Sequence, residues 1–139
     1  MNQVLLKIGG AFNLLCAALH VLFPYIFKWN EGLSCLAEKN VVTVGGSLYI
    51  MNYCLLVFWV ILACIALFGT DELIRTRIGK MLMTGMVMFW VIRILILQPL
   101  YVGWGYPGSW PMIGLFMAGM LLFAVPWVTA VVVPKIKRA

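Results

Sequence analysis

The sequence predicts an all-α integral membrane protein: four transmembrane helices in an antiparallel bundle, with N and C termini cytoplasmic. Three observations predict it. The 139 residues are 65% hydrophobic and 10% charged, with a mean hydropathy of +1.07, whereas a soluble domain carries about 25% charged residues. The apolar residues fall into four runs, each near the roughly 20 residues that a spanning helix needs. The basic residues sit at the ends of those runs. Four spans and short connections use the whole length, so residues 1–139 form a single transmembrane domain.

The first run, residues 4–27, is longer than the apolar core of a signal peptide, and no small-residue cleavage pattern follows it. Leu15 before Cys16 also disfavours lipoprotein-type processing, so the run reads as a mature helix. Residues 28–44, KWNEGLSCLAEKNVVTV, repeat Trp29, Leu33 and Leu36 at helical spacing, with Glu31, Glu38 and Lys39 on other faces. That pattern fits a short amphipathic segment at the membrane surface.

Residues 45–68 form the second span, Gly69 and Thr70 end it, and residues 71–80 form a basic connection. Residues 81–101 form the third span, MLMTGMVMFWVIRILILQPLY, with Arg93 as its one charge. Residues 101–111, YVGWGYPGSWP, hold three glycines, two prolines and four aromatics without a charge. Glycine and proline end the helix there, and tyrosine and tryptophan favour the headgroup level, so a hairpin cap at the surface is expected. Residues 112–133 form the fourth span, with Pro126 inside it, where a proline frees a carbonyl and kinks a helix.

Orientation follows from the basic residues. Lys7, Arg75, Arg77, Lys80, Lys135, Lys137 and Arg138 fall on one side; Lys28 and Lys39, balanced by Glu31 and Glu38, fall on the other. Seven against two places both termini inside, in a multi-pass protein of the cell inner (cytoplasmic) membrane. The net charge of +6 is then topological and can touch anionic lipid headgroups. Without a basic face interleaved with stacking aromatics, it does not read as a nucleic-acid surface.

Three polar side chains from three spans fall at one depth in the outer half. At 1.5 Å per residue, His20, Asn52 and Arg93 each lie about 9 to 12 Å below their helix ends. Their faces agree. Gly9, Asn13, Cys16 and His20 make one stripe; Gly45, Tyr49, Asn52, Leu56, Trp59, Ala63 and Ala66 make a second; Met83, Met86, Trp90 and Arg93 make a third. Small and hydrogen-bonding residues mark helix seams in lipid. Gln98 lies about 140° from Arg93 on an ideal helix and joins only if Pro99 bends the end.

An arginine in hydrocarbon costs from about 2.5 to over 10 kcal/mol, and no span contains a carboxylate to pair it. Either Tyr49, Asn52 and neutral His20 lock it internally, or an external carboxylate, phosphate or headgroup meets its guanidinium fork. The candidate ligand-binding residues are therefore His20, Tyr49, Asn52, Trp90 and Arg93. One histidine without a spaced partner is weak support for a haem or chlorophyll. Met81, Met83, Met86 and Met88 wrap around their helix rather than forming a copper face. No metal and no cofactor is expected. The cysteines show no C-x-x-C and read as small apolar filler.

The segment HVLFPYIFKW followed by GLSCL, together with FWVIR in the third span, resembles a group of small uncharacterised bacterial four-helix membrane proteins. In those, a first-helix histidine leads into F-P and a tryptophan, and the third helix carries F-W-x-x-R. The resemblance covers roughly residues 10 to 98. It implies the fold and pairs His20 with Arg93, and it implies no activity. In that group a second histidine occurs early in the second helix. Here that region reads VVTVGGSLYIMNY, which argues against a two-histidine ligand set.

With no nucleophile–base pair and no phosphate-cradling loop, the sequence leans away from an enzyme. It reads as a membrane protein binding a small amphipathic or anionic ligand, lipid- or quinone-like, in an outward-facing polar pocket. The alternatives are an accessory subunit of a larger membrane complex and a small transporter. Membrane lipids are expected partners, and a homo-oligomer or a partner membrane protein is compatible.

Overall fold

The structure, a computed structural model, describes residues 2–103 and 109–133. The described residues are almost entirely helical and form no strand, and four helices are long and apolar enough to cross a membrane: Asn2–Ile26, Val41–Phe68, Arg77–Leu100 and Met112–Val132. The elements are α1 (Asn2–Ile26), α2 (Trp29–Ser34), α3 (Glu38–Asn40), α4 (Gly46–Phe68), α5 (Thr70–Arg75), α6 (Arg77–Ile92), α7 (Gln98–Gly103) and α8 (Ser109–Trp127). Five-residue π turns, Val41–Gly45, Arg93–Leu97 and Val128–Val132, precede α4, join α6 to α7, and follow α8. The centre of the predicted surface hairpin and the basic residues Lys135, Lys137 and Arg138 lie outside the described residues.

Two helix boundaries differ from the sequence reading. The second long helix starts at Val41 rather than at the Gly45-Gly46 pair, because both glycines adopt ordinary right-handed helical backbone. Residues 71–80, read as a connection, are mostly helical. α5 stops at Thr76, whose ψ of 157° breaks the path, and the Thr76 hydroxyl then caps α6 by accepting the Gly79 N–H at 2.9 Å. Between the first two spans the chain reverses at Lys28, which takes a left-handed conformation (φ 48°). α2 is amphipathic, with Trp29 half-buried in edge contact with Tyr49 at 5.3 Å.

Antiparallel registers tie the four long helices together. α1 packs closely along both α4 and α8, and α8 packs along α6. At Gly10 a Cβ would lie 2.7 Å from Leu67 Cγ and 3.1 Å from the Ala63 carbonyl, so α1 and α4 meet there with no room for a side chain. α4 and α6 instead meet through rings: Trp59 touches Phe89 at 5.1 Å and Trp90 at 5.2 Å, and Phe58 touches Phe89 at 5.2 Å. Large side chains hold those two backbones apart.

The three stripes expected from sequence are the buried faces. Gly9, Asn13 and Cys16 are buried on α1; Asn52, Trp59, Ala63 and Ala66 on α4; and Met83, Met86 and Trp90 on α6. The outward residues remain apolar, with Phe68 83% and Ile50 65% exposed, as lipid-facing positions should be. One end of the bundle gathers both ends of the described chain and the α4–α6 connection. There Asn2 Nδ2 donates to Thr129 Oγ1 at 2.7 Å, and Gln3 Nε2 donates to Asp71 Oδ1 at 2.7 Å.

Trp90 fits because α8 presents a glycine to it. A Cβ at Gly119 would lie 2.7 Å from Phe12 Cε1 and 2.8 Å from Trp90 Cη2. Gly119→Val should overpack this layer and destabilise the bundle by about 1–3 kcal/mol, read as lost resistance to thermal unfolding in detergent. Gly114→Val, at an open position, should be close to neutral. Equal behaviour of the two variants would show that the aromatic layer is not tightly packed.

Candidate functional site

The site begins with Pro24. A proline inside a helix has no N–H to give the carbonyl four residues earlier, and for Pro24 that carbonyl belongs to His20. In hydrocarbon an unmet carbonyl costs several kcal/mol. Asn52 of α4 meets it: its Nδ2 donates to the His20 carbonyl at 2.8 Å, and its Oδ1 lies 2.9 Å from His20 Nδ1. The Asn52 side chain is buried, with 5% exposure.

This two-point clasp assigns the imidazole. The carbonyl can only accept, so the amide NH2 must face it. The amide oxygen then faces the ring, and Nδ1 must carry the hydrogen. In the neutral ring Nε2 therefore holds the lone pair. The ring is half-buried and tilted against Phe23, with centroids 4.5 Å apart, and it lies 6.4 Å from Trp59.

Trp59 leads on to Trp90, and Trp90 to Phe116 at 5.9 Å and Phe12 at 5.6 Å. Arg93 closes the series, with its guanidinium carbon 4.4 Å from the centre of the Phe116 ring. That separation is within cation–π range. Arg93 is also within electrostatic range of the His20 ring. The contacts of α1 with α8, Gly9 to Phe123 and Phe12 to Gly119, put Phe116 near Cys16 by register. Phe116 thus lies about one helical turn from His20 along the bundle, and Arg93 reaches its ring from the end of α6.

Beside the clasp is a cleft of about 210 Å³ lined by Val21, Pro24, Tyr25, Asn30, Tyr49, Asn52 and Tyr53. Tyr49 donates its hydroxyl to Asn30 Oδ1 at 3.1 Å. Tyr25 and Tyr53 stand at the mouth, 79% and 60% exposed. Of the five candidate residues, Asn52 and Tyr49 line this cleft and His20 backs Asn52. Trp90, 1% exposed, belongs to the aromatic core, and Arg93 lies against Phe116.

Sequence reasoning misses Pro24, Asn30, Tyr25, Tyr53 and Phe116 as site residues. A proline four residues after a polar side chain is the one signal that could have revealed the clasp. Gln98 is buried at 2%. The Arg93–Leu97 π turn, in which the Gln98 N–H bonds the Arg93 carbonyl, absorbs one extra residue. It brings Gln98 to about 40° from the Arg93 face.

Chemically, the site offers hydrogen bonds, ring faces and one guanidinium. Among the described residues no group of three or more His, Cys, Asp or Glu side chains is placed to hold a metal ion. Asn13, fully buried, and the indole N–H groups of Trp59 and Trp90 have no hydrogen-bond partner among the described residues. The core between the clasp and Gly10 is therefore polar as well as aromatic. Compared with protein-family models, curated proteins and solved structures, the chain has no match in any of the three.

The clasp makes a coupled prediction. Asn52→Leu should cost about 1–2 kcal/mol, the range for interhelical hydrogen bonds in bilayers. That cost should shrink in a Pro24→Ala background, where the backbone gains an N–H at position 24 that can reach the His20 carbonyl. An unfolding-based double-mutant cycle reads this; an Asn52→Leu penalty identical in both backgrounds would refute the clasp. Nitrogen NMR of labelled His20 should find the hydrogen on Nδ1.

Proposed function

We propose that this chain is a multi-pass protein of the cell inner (cytoplasmic) membrane, both termini cytoplasmic, that binds the headgroup of a small amphipathic molecule without transforming it. The observation that carries the reading is the lining of the cleft between α1 and α4. Its wall is tyrosine and amide, its remaining lining is valine and proline, and its mouth opens where apolar side chains are exposed. At about 210 Å³ it is smaller than the 300–1,000 Å³ of typical ligand pockets. It suits a headgroup whose tail stays in the lipid.

The Tyr25 and Tyr53 hydroxyls can donate to carbonyl oxygens, whereas Tyr49 already donates to Asn30 and Asn52 commits its amide to His20. The chemistry favours a neutral, hydrogen-bond-accepting headgroup such as a quinone ring or a lipid ester. Since Arg93 does not line the cleft, an anionic ligand has less support here. The cytoplasmic placement of the termini is supported by the seven-to-two distribution of basic residues, and the bundle end that gathers Asn2, Asp71 and Thr129 is then the inner end.

Native mass spectrometry of gently solubilised protein tests the binding. The wild type and Arg93→Leu should both retain an amphipathic small molecule, and Val21→Trp, which fills the cleft, should lose it. An apo wild type, equal retention by Val21→Trp, or a stoichiometric protein partner in its place would overturn the reading.

Orientation has its own probe. Cys35 is an exposed free thiol in the connection between α2 and α3. A membrane-impermeant maleimide should label it on intact cells, while Cys54 and Cys64 stay shielded by lipid. Labelling of Cys35 only after permeabilisation would invert the topology.

A further inference from the structure

At the opposite end of the bundle from the tyrosine cleft lies a larger one, of about 500 Å³, lined by Arg75, Arg77, Lys80, Met81, Thr84 and Val131. From this cleft we infer a second site, which binds the phosphate of an anionic phospholipid, with its acyl chain running along Met81 and Val131. The inference rests on the membrane placement proposed above and is independent of the ligand in the tyrosine cleft.

Charge is the first argument. Three cations line the cleft, and among the described residues no acidic side chain does. Arg75 pairs with Asp71, Nε to Oδ1 at 3.7 Å, with both side chains well exposed. Arg77 and Lys80 make no ion pair among the described residues. Arg77 opens the 16-residue helix α6, whose N-terminal end adds partial positive charge. A guanidinium meets a phosphate through two parallel N–H bonds and an ammonium meets it as a point charge, so the lining offers both modes.

Construction is the second argument. The Thr84 hydroxyl donates to the Lys80 carbonyl at 2.8 Å and accepts the Trp127 indole N–H at 2.8 Å. Its one hydrogen is therefore committed within α6 while its oxygen ties α6 to α8, so it fixes the wall rather than donating to a phosphate. Met81 and Val131 complete the lining on the bilayer side with apolar surface. A free phosphate would gain nothing from that surface, whereas a lipid uses both parts. Topology determination by the positive-inside rule requires basic residues at this end, but it does not require them to converge on a cleft.

The test uses the full chain in detergent, with native mass spectrometry reading bound phosphatidylglycerol against phosphatidylcholine. The wild type should prefer phosphatidylglycerol, and that preference should fall by about fivefold for each cation removed in Arg77→Gln and Arg77→Gln/Lys80→Gln. Val131→Trp, which keeps the charges and narrows the cleft, should also lower it. Lys7→Gln/Lys28→Gln, which removes two charges elsewhere, should leave it unchanged.

A preference that survives Arg77→Gln/Lys80→Gln, or that falls as far in Lys7→Gln/Lys28→Gln, would overturn the site. Inorganic phosphate should compete only weakly. Full displacement of the lipid by it would overturn the assignment to phospholipid. Neither arm depends on what the tyrosine cleft holds, so failure here and failure of the proposed function are separable.

Discussion

One missing hydrogen bond organises the upper half of this bundle: Pro24 deprives the His20 carbonyl of its helical donor. In water the loss would be minor, because solvent would take the place of the missing N–H. In hydrocarbon there is no such substitute, and the carbonyl must be met by a neighbouring helix. Asn52 meets it and, with its other end, takes the His20 Nδ1 hydrogen. One side chain thereby fixes the spacing of α1 and α4, the tautomer of the histidine, and the inner wall of the tyrosine cleft. A serine or threonine in place of Asn52 could reach one of the two partners, but it could not hold both the ring and the carbonyl.

Arg93 presents the harder energetic problem. A cation–π contact is worth about 0.5 to 2 kcal/mol, below even the smallest value, about 2.5 kcal/mol, for an arginine in hydrocarbon. Phe116 alone therefore does not balance it. The residue has further interactions in the bundle, and its long apolar stem can carry the charge towards more polar surroundings. The aromatic series from His20 through Trp59 and Trp90 to Phe116 has a structural consequence of its own: it separates α4 from α6 and fills the space between them with rings. Such a core tolerates little change in volume, which is why Gly119 must stay small opposite Phe12 and Trp90.

The fold is largely legible in the sequence because lipid leaves few options. Four apolar runs have to be helices, and their small and polar stripes have to face one another; Asn13, Asn52, Trp59 and Met83 are all buried as that logic requires. The site is only partly legible. His20 and Asn52 can be matched by depth and face, but their bond follows from Pro24, whose effect lies in the backbone rather than in any side-chain pattern. Phe116 cannot be found this way, because its helix is apolar on every side and presents no face to read. An ideal helix puts Gln98 about 140° from Arg93. The π turn Arg93–Leu97 changes that phase just before Pro99, where an α-helical bond cannot form in any case.

The position of the tyrosine cleft follows from a gradient in side-chain size along one seam. Towards the N-terminal end of α1, Gly10 lies against Ala63 and Leu67 with no space for a Cβ. Farther along the seam, the Asn52 side chain alone spans from α4 to the His20 backbone carbonyl. Beyond them, Val21, Pro24 and Tyr25 face Tyr49 and Tyr53, and the cleft opens. The opening is found where the seam carries its largest side chains. The clasp serves both features: Asn52 ties α4 to the α1 backbone and forms part of the cleft wall. A ligand in that cleft and the hydrogen bonds of Asn52 would thus share one side chain, although nothing requires the ligand to touch His20.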